Sequence, residues 1–262
     1  MTASGDGGGG AEPQSVKSAA RALEIVECVA EAGALSFNDI VARLGLPKSS
    51  AHGLLRTLEG EGWLVQESET RRFTLGLKVW QLGQRYDGHR GLAETAKPIM
   101  DALARSTGET VQLARLDGVE NVYIAISLSP NPMRMASTVG MRLHAHATGI
   151  GKALLSTLDP GEARRRLSAV VLPRLTARTV TDPDELMRIV TRTADVGYAV
   201  DDEEFVEGCR CVAVPLTAEG ETGIAAALSV TLPTQRTPDG WPRSLYAPLA
   251  HAAEEIRAAM GL

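Results

Sequence analysis

The 262-residue sequence contains no uninterrupted apolar run close to the roughly 18 residues that a membrane span requires, so no part of it is expected to cross a bilayer. Cysteine is scarce. Cys28, Cys209 and Cys211 are too few and too unevenly spaced for a disulfide framework, which points to a reducing cytoplasm. The opening stretch, MTASGDGGGGAEPQ, lacks both a basic start and an apolar segment, and so does not read as a secretory signal. With nothing to bury, residues 1–14 are expected to form a disordered tail. Positive charge is also short, the formal net charge being -5. That balance speaks against a nucleic-acid partner only on average, because binding depends on the local face. Between Asp39 and Glu59 the chain carries Arg43, Lys48 and Arg56 and no acid at all.

Catalytic signatures are missing too. No nucleophile elbow, H-E-x-x-H or separated acid pair is present, and the run Asp201 to Glu204 fits a solvated strand end. The segment TGIGKAL lacks the upstream glycine and the Ser/Thr after Gly-Lys of a phosphate loop. It also matches a degenerate dinucleotide fingerprint, without the following strand and terminal acid that would complete one. His144, His146, Cys209, Cys211 and the nearby acids could assemble a metal site by strand alternation. Their spacing is not a zinc pattern, and neither metal nor cofactor is expected.

What is present divides at about the first third. Apolar residues at helical spacing predict a helix from Ser18, as its cap, to Ala32, ended by Gly33. Ser36 and Asp39 form a capping-box-like start for a short second helix that Gly45 breaks. Pro47 suits the first turn of a third helix running to Glu59 and stopped by Gly60. Trp63–Gln66 and Phe73–Leu75 read as two strands around a polar tip. Three helices and a hairpin in this order make a winged helix-turn-helix. From Gly76 one helical stretch is expected to run on, past Pro98, to about Ser106.

Strands are then predicted at 111–116 and 121–126 around the turn Asp117-Gly118, with two more between Met133 and His146. Helices follow at 151–158, 161–169 and 183–195, then strands at 197–200, 210–216 and 222–231 and a last helix at 242–260. Mixed strands with helices grouped at the ends indicate an α+β domain.

In the third helix Ala51, Leu54, Leu55 and Leu58 share one face, while Ser49, His52, Gly53 and Arg56 lie opposite, with Lys48 near the start. A recognition helix needs that division: apolar residues anchor it, and short donors and cations near its N-terminus reach base edges and phosphates. Lys48, Ser49, Ser50, His52 and Arg56, with Arg71 and Arg72 at the wing, are the expected DNA contacts.

The segments SVKSAARALEIVECV, LSFNDIVARLGLPKSSAHGLLRTLEGEGWL and RRFTLGLKVWQLG resemble the DNA-binding domain of the IclR family of bacterial transcriptional regulators. That family often carries a bulky, commonly basic residue where this chain has Gly53. The second half resembles the same family in GMRLHAHATGIGKALLSTL, TDPDELMRIVTRTADVGYAVDDEEFVEGCRCVAVPL and AAALSVTLP. The resemblance implies a GAF-like effector-binding domain that holds a small organic molecule, frequently a carboxylate or aromatic acid. It places the effector-contacting residues at Gly149, Ile150, Asp201, Cys211, Ser229 and Thr231. It further implies self-association, as a dimer or tetramer.

The residues themselves support a pocket. Thr148-Gly149-Ile150-Gly151 lies between strand and helix, so free backbone N–H groups are expected to point outward and favour an anion. Ser229 and Thr231 are two apart and share a strand face. The organisation expected is therefore a tail at 1–14, a winged helix-turn-helix at 15–78, a linker helix at 79–89 and an effector domain at 90–262. The function expected is that of a DNA-binding repressor under effector control, in the cytoplasm. An enzyme on a GAF-like scaffold is the alternative.

Overall fold

The computed structural model describes residues 16–86, 88, 90–218, 220 and 223–262; the expected tail, and Thr222 at the start of one expected strand, lie outside these. The chain divides into two compact units between residues 87 and 88. Among the described residues no helix is long and apolar enough to cross a membrane.

The first unit comprises α1 (Lys17–Ala32), α2 (Phe37–Leu44), α3 (Lys48–Gly60), the antiparallel pair β1 (Leu64–Gln66) and β2 (Phe73–Leu75), and α4 (Leu77–Gly83). Ile25 and Val29 of α1, Ile40 of α2, Leu55 and Leu58 of α3 and Leu64 of β1 form its core. The helix start at α2 is as expected. Ser36 Oγ accepts from the Asp39 N–H at 3.2 Å and Asp39 Oδ2 accepts from the Ser36 N–H at 3.0 Å, satisfying two donors that the helix itself leaves free. The start of α1 is not. Ser18 lies inside the helix, and Val16 occupies the cap position without a side-chain hydrogen bond.

Gly76 closes the wing. Its N–H donates to the Trp63 carbonyl at 2.7 Å, and a Cβ there would stand 2.1 Å from the Gly62 carbonyl oxygen. Only glycine lets the two backbones approach so closely.

The expected continuous helix from Gly76 to Ser106 is two helices, α4 and α5 (Arg90–Thr107). A turn at Gln84–Arg85, following Gly83, ends the first. Pro98 is accommodated inside α5.

The second unit is a six-stranded sheet in the order β5-β4-β3-β8-β7-β6, with every neighbouring pair antiparallel. Its strands are β3 (Thr110–Asp117), β4 (Glu120–Ser127), β5 (Arg142–His144), β6 (Ala199–Asp202), β7 (Cys209–Thr217) and β8 (Ala226–Pro233). The expected hairpin between β3 and β4 forms, with Gly118 at φ +62°. Of the two strands expected between Met133 and His146 only β5 forms: residues 134–138 take no regular structure, and Ala145–Ala147 coil into a 3₁₀ turn. His144 and His146 consequently do not share a strand face, and His146 Nε2 lies 3.0 Å from the Pro173 carbonyl.

Period-two alternation sorts each strand between two layers. Val111, Leu113, Val212, Val214, Leu228 and Val230 face α5 and α9 (Arg243–Ala259). Ala114, Ala213 and Ala227 face the opposite way, toward α6 (Gly149–Leu155). Small residues there let α6 settle into the sheet with all seven of its residues buried. Beyond it, α7 (Pro160–Ser168) and α8 (Pro183–Val196) complete that layer, both capped by aspartate side chains.

Candidate functional site

The face of α3 turned from the core carries Lys48, Ser49, Ser50, His52, Gly53 and Arg56, all exposed. Ala51, Leu55 and Leu58 are buried behind them, and Leu54 is half-buried. Among the described residues, Lys48 and Arg56 form no ion pair or hydrogen bond, so both charges remain available. His52 packs against the Phe37 ring, with centroids 5.4 Å apart, which holds it at the helix surface. A Cβ on Gly53 would meet nothing within 4 Å, so packing does not require this glycine. At the wing tip Arg71 adopts φ +57° and Arg72 follows it, both exposed. Lys17 and Arg21 of α1 line a groove with Ser49, Ser50 and Gly53. No local pattern in α1 signals a role there, because only the packing of α1 on α3 brings them together.

In the second unit the residues singled out from sequence converge. Strand register sets Asp201 beside Cys211 and Cys211 beside Thr231. Ser229 lies on the same face as Thr231, opposite Gln112 of β3. Gly149 closes the group from α6: a Cβ there would stand 3.1 Å from both the Asp201 N and the Cys211 Sγ. Ile150, also of α6, lies with its backbone N–H toward the Cys211 Sγ, where the Ser229 and Thr231 hydroxyls also reach.

The start of α6 differs from expectation. Its N–H groups do not point outward. Thr148 Oγ1 accepts from the Gly151 N–H at 3.1 Å and donates to Asn121 Oδ1 at 2.7 Å. Gly151 presses against the 3₁₀ turn, where a Cβ would lie 2.2 Å from the Ala145 Cα. A threonine cap and close backbone packing thus use groups that the sequence suggested were free for an anion.

Two polar residues joined to this constellation were missed. Gln112 is fully buried, and its Oε1 accepts from the Ser229 hydroxyl at 3.1 Å and the Thr231 hydroxyl at 3.0 Å. Among the described residues its Nε2 has no hydrogen-bond partner. A glutamine between Val111 and Leu113, two residues before inward-facing Ala114, was the available signal. Lys152 is also buried and pairs with Glu204 Oε1 at 2.5 Å.

Burial dominates the electrostatics. It pushes the Asp201 carboxyl up to about 7, against the opposing pull of Lys152 and the Glu204 N–H. It pushes the Cys209 and Cys211 thiols up to about 12, and raises Tyr123 as well. Near neutral pH the strip of Gln112, Cys211, Ser229 and Thr231 is therefore uncharged. It is built to hydrogen-bond a small polar group, and its Cys211 thiol is not a nucleophile, since the thiolate is the reactive form. Among the described residues no group of three or more His, Cys, Asp or Glu side chains is arranged to hold a metal.

A winged helix with unpaired cations on its recognition face, followed by an α+β domain with a buried polar cluster, defines a ligand-responsive DNA-binding regulator. Residues 18–68 match the IclR helix-turn-helix domain and residues 84–258 match the bacterial transcriptional regulator IclR C-terminal domain. The chain belongs to the IclR family of bacterial transcriptional regulators. It is 35% identical over 247 residues to the HTH-type transcriptional regulator XynR of Escherichia coli, covering 94% of this chain and 98% of that one. It is 31% identical over 249 residues to the transcriptional repressor IclR of Escherichia coli, covering 94% and 90%. A crystal structure of an IclR homologue from Microbacterium hydrocarbonoxydans complexed with 4-hydroxybenzoate superposes with a TM-score of 0.80 at 28% identity, covering 93% of this chain and 98% of that one. The protein is accordingly a transcriptional regulator with an effector domain and not an enzyme.

Proposed function

We propose that this chain represses transcription from a palindromic operator and that a small carboxylate or aromatic acid controls its grip on DNA. Lys48, Ser49, Ser50, His52 and Arg56 of α3 enter the major groove, and Arg71 and Arg72 of the wing hold the flanking backbone. The effector lies against Gly149, Ile150, Asp201, Cys211, Ser229 and Thr231. The observation carrying this assignment is that five residues from α6, β6 and β8 meet around the buried Cys211 sulfur of β7.

The effector is held by hydrogen bonds rather than by a cation, since the one buried lysine nearby is already paired. An acid entering beside Asp201 takes up a proton, or is met by a carboxyl that already holds one. The 4-hydroxybenzoate bound by the Microbacterium homologue belongs to the same chemical class. Self-association pairs two recognition helices, because one helix reads too few bases to be specific alone. As a DNA-binding regulator the chain works in the cytoplasm, where bacterial DNA lies.

The test is calorimetry of small organic acids, 4-hydroxybenzoate first, on the full chain with and without operator DNA. Binding that weakens or tightens with DNA present, and is lost in Thr231→Val, supports the assignment. Equal affinity in both conditions removes the control of DNA binding, since coupling must appear in both equilibria. Unchanged binding by Thr231→Val moves the effector elsewhere.

A further inference from the structure

The donors around Cys211 are largely committed to one another. The Ser229 and Thr231 hydroxyls both donate to Gln112 Oε1, the Lys152 ammonium is paired with Glu204, and the Ile150 N–H is directed to the Cys211 sulfur. An acid entering this cluster therefore meets no free cation and few unspent protons. One polar group beside the cluster has no such commitment, the phenol of Tyr123.

Tyr123 lies on β4, outside the four elements that hold the expected contacts. Strands β3 and β8 stand between β4 and β7, so the β4 and β7 backbones are three spacings, roughly 14 Å, apart. Register sets Tyr123 beside Ala114 and Ala114 beside Ala227, on the face toward α6. These two methyl groups leave room for the ring to lie across the sheet, and it packs in one cluster with Ile150, Ala213 and Cys211. Burial above all, and then the nearness of Cys211, Cys209 and Asp201, keeps the phenol in its protonated form.

Tyr123 is only 5% exposed, yet among the described residues its hydroxyl has no hydrogen-bond partner. A buried tyrosine hydroxyl nearly always finds one. Gln112 Nε2 is sealed from solvent, whereas the Tyr123 hydroxyl is not. Ring packing alone would be served as well by phenylalanine, so the fold makes no use of the hydroxyl. A carboxylate is the acceptor that matches it, since the neighbouring donors are spent and the phenol is a donor throughout the working pH range. We propose that Tyr123 is a further effector contact, its hydroxyl donating to the carboxylate of the bound acid and so selecting for acids at this site. This contact rests on the effector assignment made above and adds β4 to it.

Calorimetry of benzoate and of 4-hydroxybenzoate on the full chain and on Tyr123→Phe tests this. The two acids share the carboxylate, so Tyr123→Phe is expected to weaken both by about tenfold, as loss of a hydrogen bond to a charged acceptor does. Thermal unfolding of the ligand-free variant should match wild type, because the hydroxyl bonds to nothing in the protein. Unfolding lowered along with affinity would assign the tyrosine a structural role and overturn the proposal. Wild-type affinity retained in Tyr123→Phe, with binding lost in Thr231→Val, overturns the contact and leaves the effector assignment standing. A loss confined to 4-hydroxybenzoate also overturns it, since the phenol would then meet the ring substituent instead. Binding indifferent to both substitutions, or no binding of either acid by the wild-type chain, removes the effector assignment and this contact with it.

Discussion

Residues in this protein act according to whether their polar groups are spent. Lys48 and Arg56 are exposed and, among the described residues, form no ion pair or hydrogen bond, so their charge is available to phosphate and base edges. Lys48→Ala and Arg56→Ala are each expected to weaken operator binding without affecting effector affinity. For a phosphate contact, the slope of log affinity against log salt should fall by about one, as one fewer counterion is released. Unaltered operator affinity in both variants would place the DNA on another face.

Asp201 shows the opposite condition. Its folded-state carboxyl, pushed by burial from 3.8 up to about 7, holds a proton that the unfolded chain releases between those values. Unfolding then becomes easier as pH rises through that window, and the penalty is complete above 7. Asp201→Asn keeps an oxygen for the Glu204 and Phe205 N–H groups, which Asp201 Oδ1 accepts at 2.7 and 3.3 Å. The variant should gain stability of order 1–3 kcal/mol over wild type at pH 8 and much less at pH 5. Denaturant unfolding at both values checks this; equal gains would mean that the carboxyl titrates normally.

At the scale of elements, glycines divide into those that packing demands and those it tolerates. Gly53 faces open space in the middle of α3, so Gly53→Ala should stabilise the winged helix by about 1 kcal/mol through helix propensity alone. Gly76 lies against the Gly62 carbonyl, so Gly76→Ala should destabilise the same unit by about 2 kcal/mol or more, as the backbones are forced apart. Thermal unfolding of the two variants should move in opposite directions. The same distinction governs α6. The start of TGIGKAL reads as free N–H groups for an anion, whereas Gly151 is packed against the 3₁₀ turn and Gly149 against the Asp201 backbone and the Cys211 sulfur. Valine at Gly149 would therefore disturb this packing as well as any ligand, which makes Thr231→Val the cleaner probe.

For the whole molecule, one recognition helix per chain sets the requirement for pairing. Footprinting should reveal protection of two half-sites in inverted orientation, centred about one helical turn of roughly 10 base pairs, or a multiple of it, apart. Protection of a single short asymmetric site would contradict a paired regulator. The effector acts on this arrangement only if it discriminates between DNA-competent and incompetent forms, a coupling of typically 1–3 kcal/mol.

The sequence by itself determined the local structure. The Ser36–Asp39 capping box, the apolar face of α3, the hairpin at Gly118 and the aspartate-capped helices all follow from side chains within a few residues of one another. It also marked out Gly149, Asp201, Cys211, Ser229 and Thr231, through a family resemblance spread over most of the chain. Only the tertiary structure decided what these groups face. Strand register joined β6, β7, β8 and β3 around Cys211 and revealed Gln112, a residue more than one hundred positions from Ser229. The burial of α6 turned its N–H groups inward, and the small residues of β3 and β8 let the Tyr123 ring reach across the sheet. Such facts depend on contacts between distant segments, and no periodicity within a single segment records them.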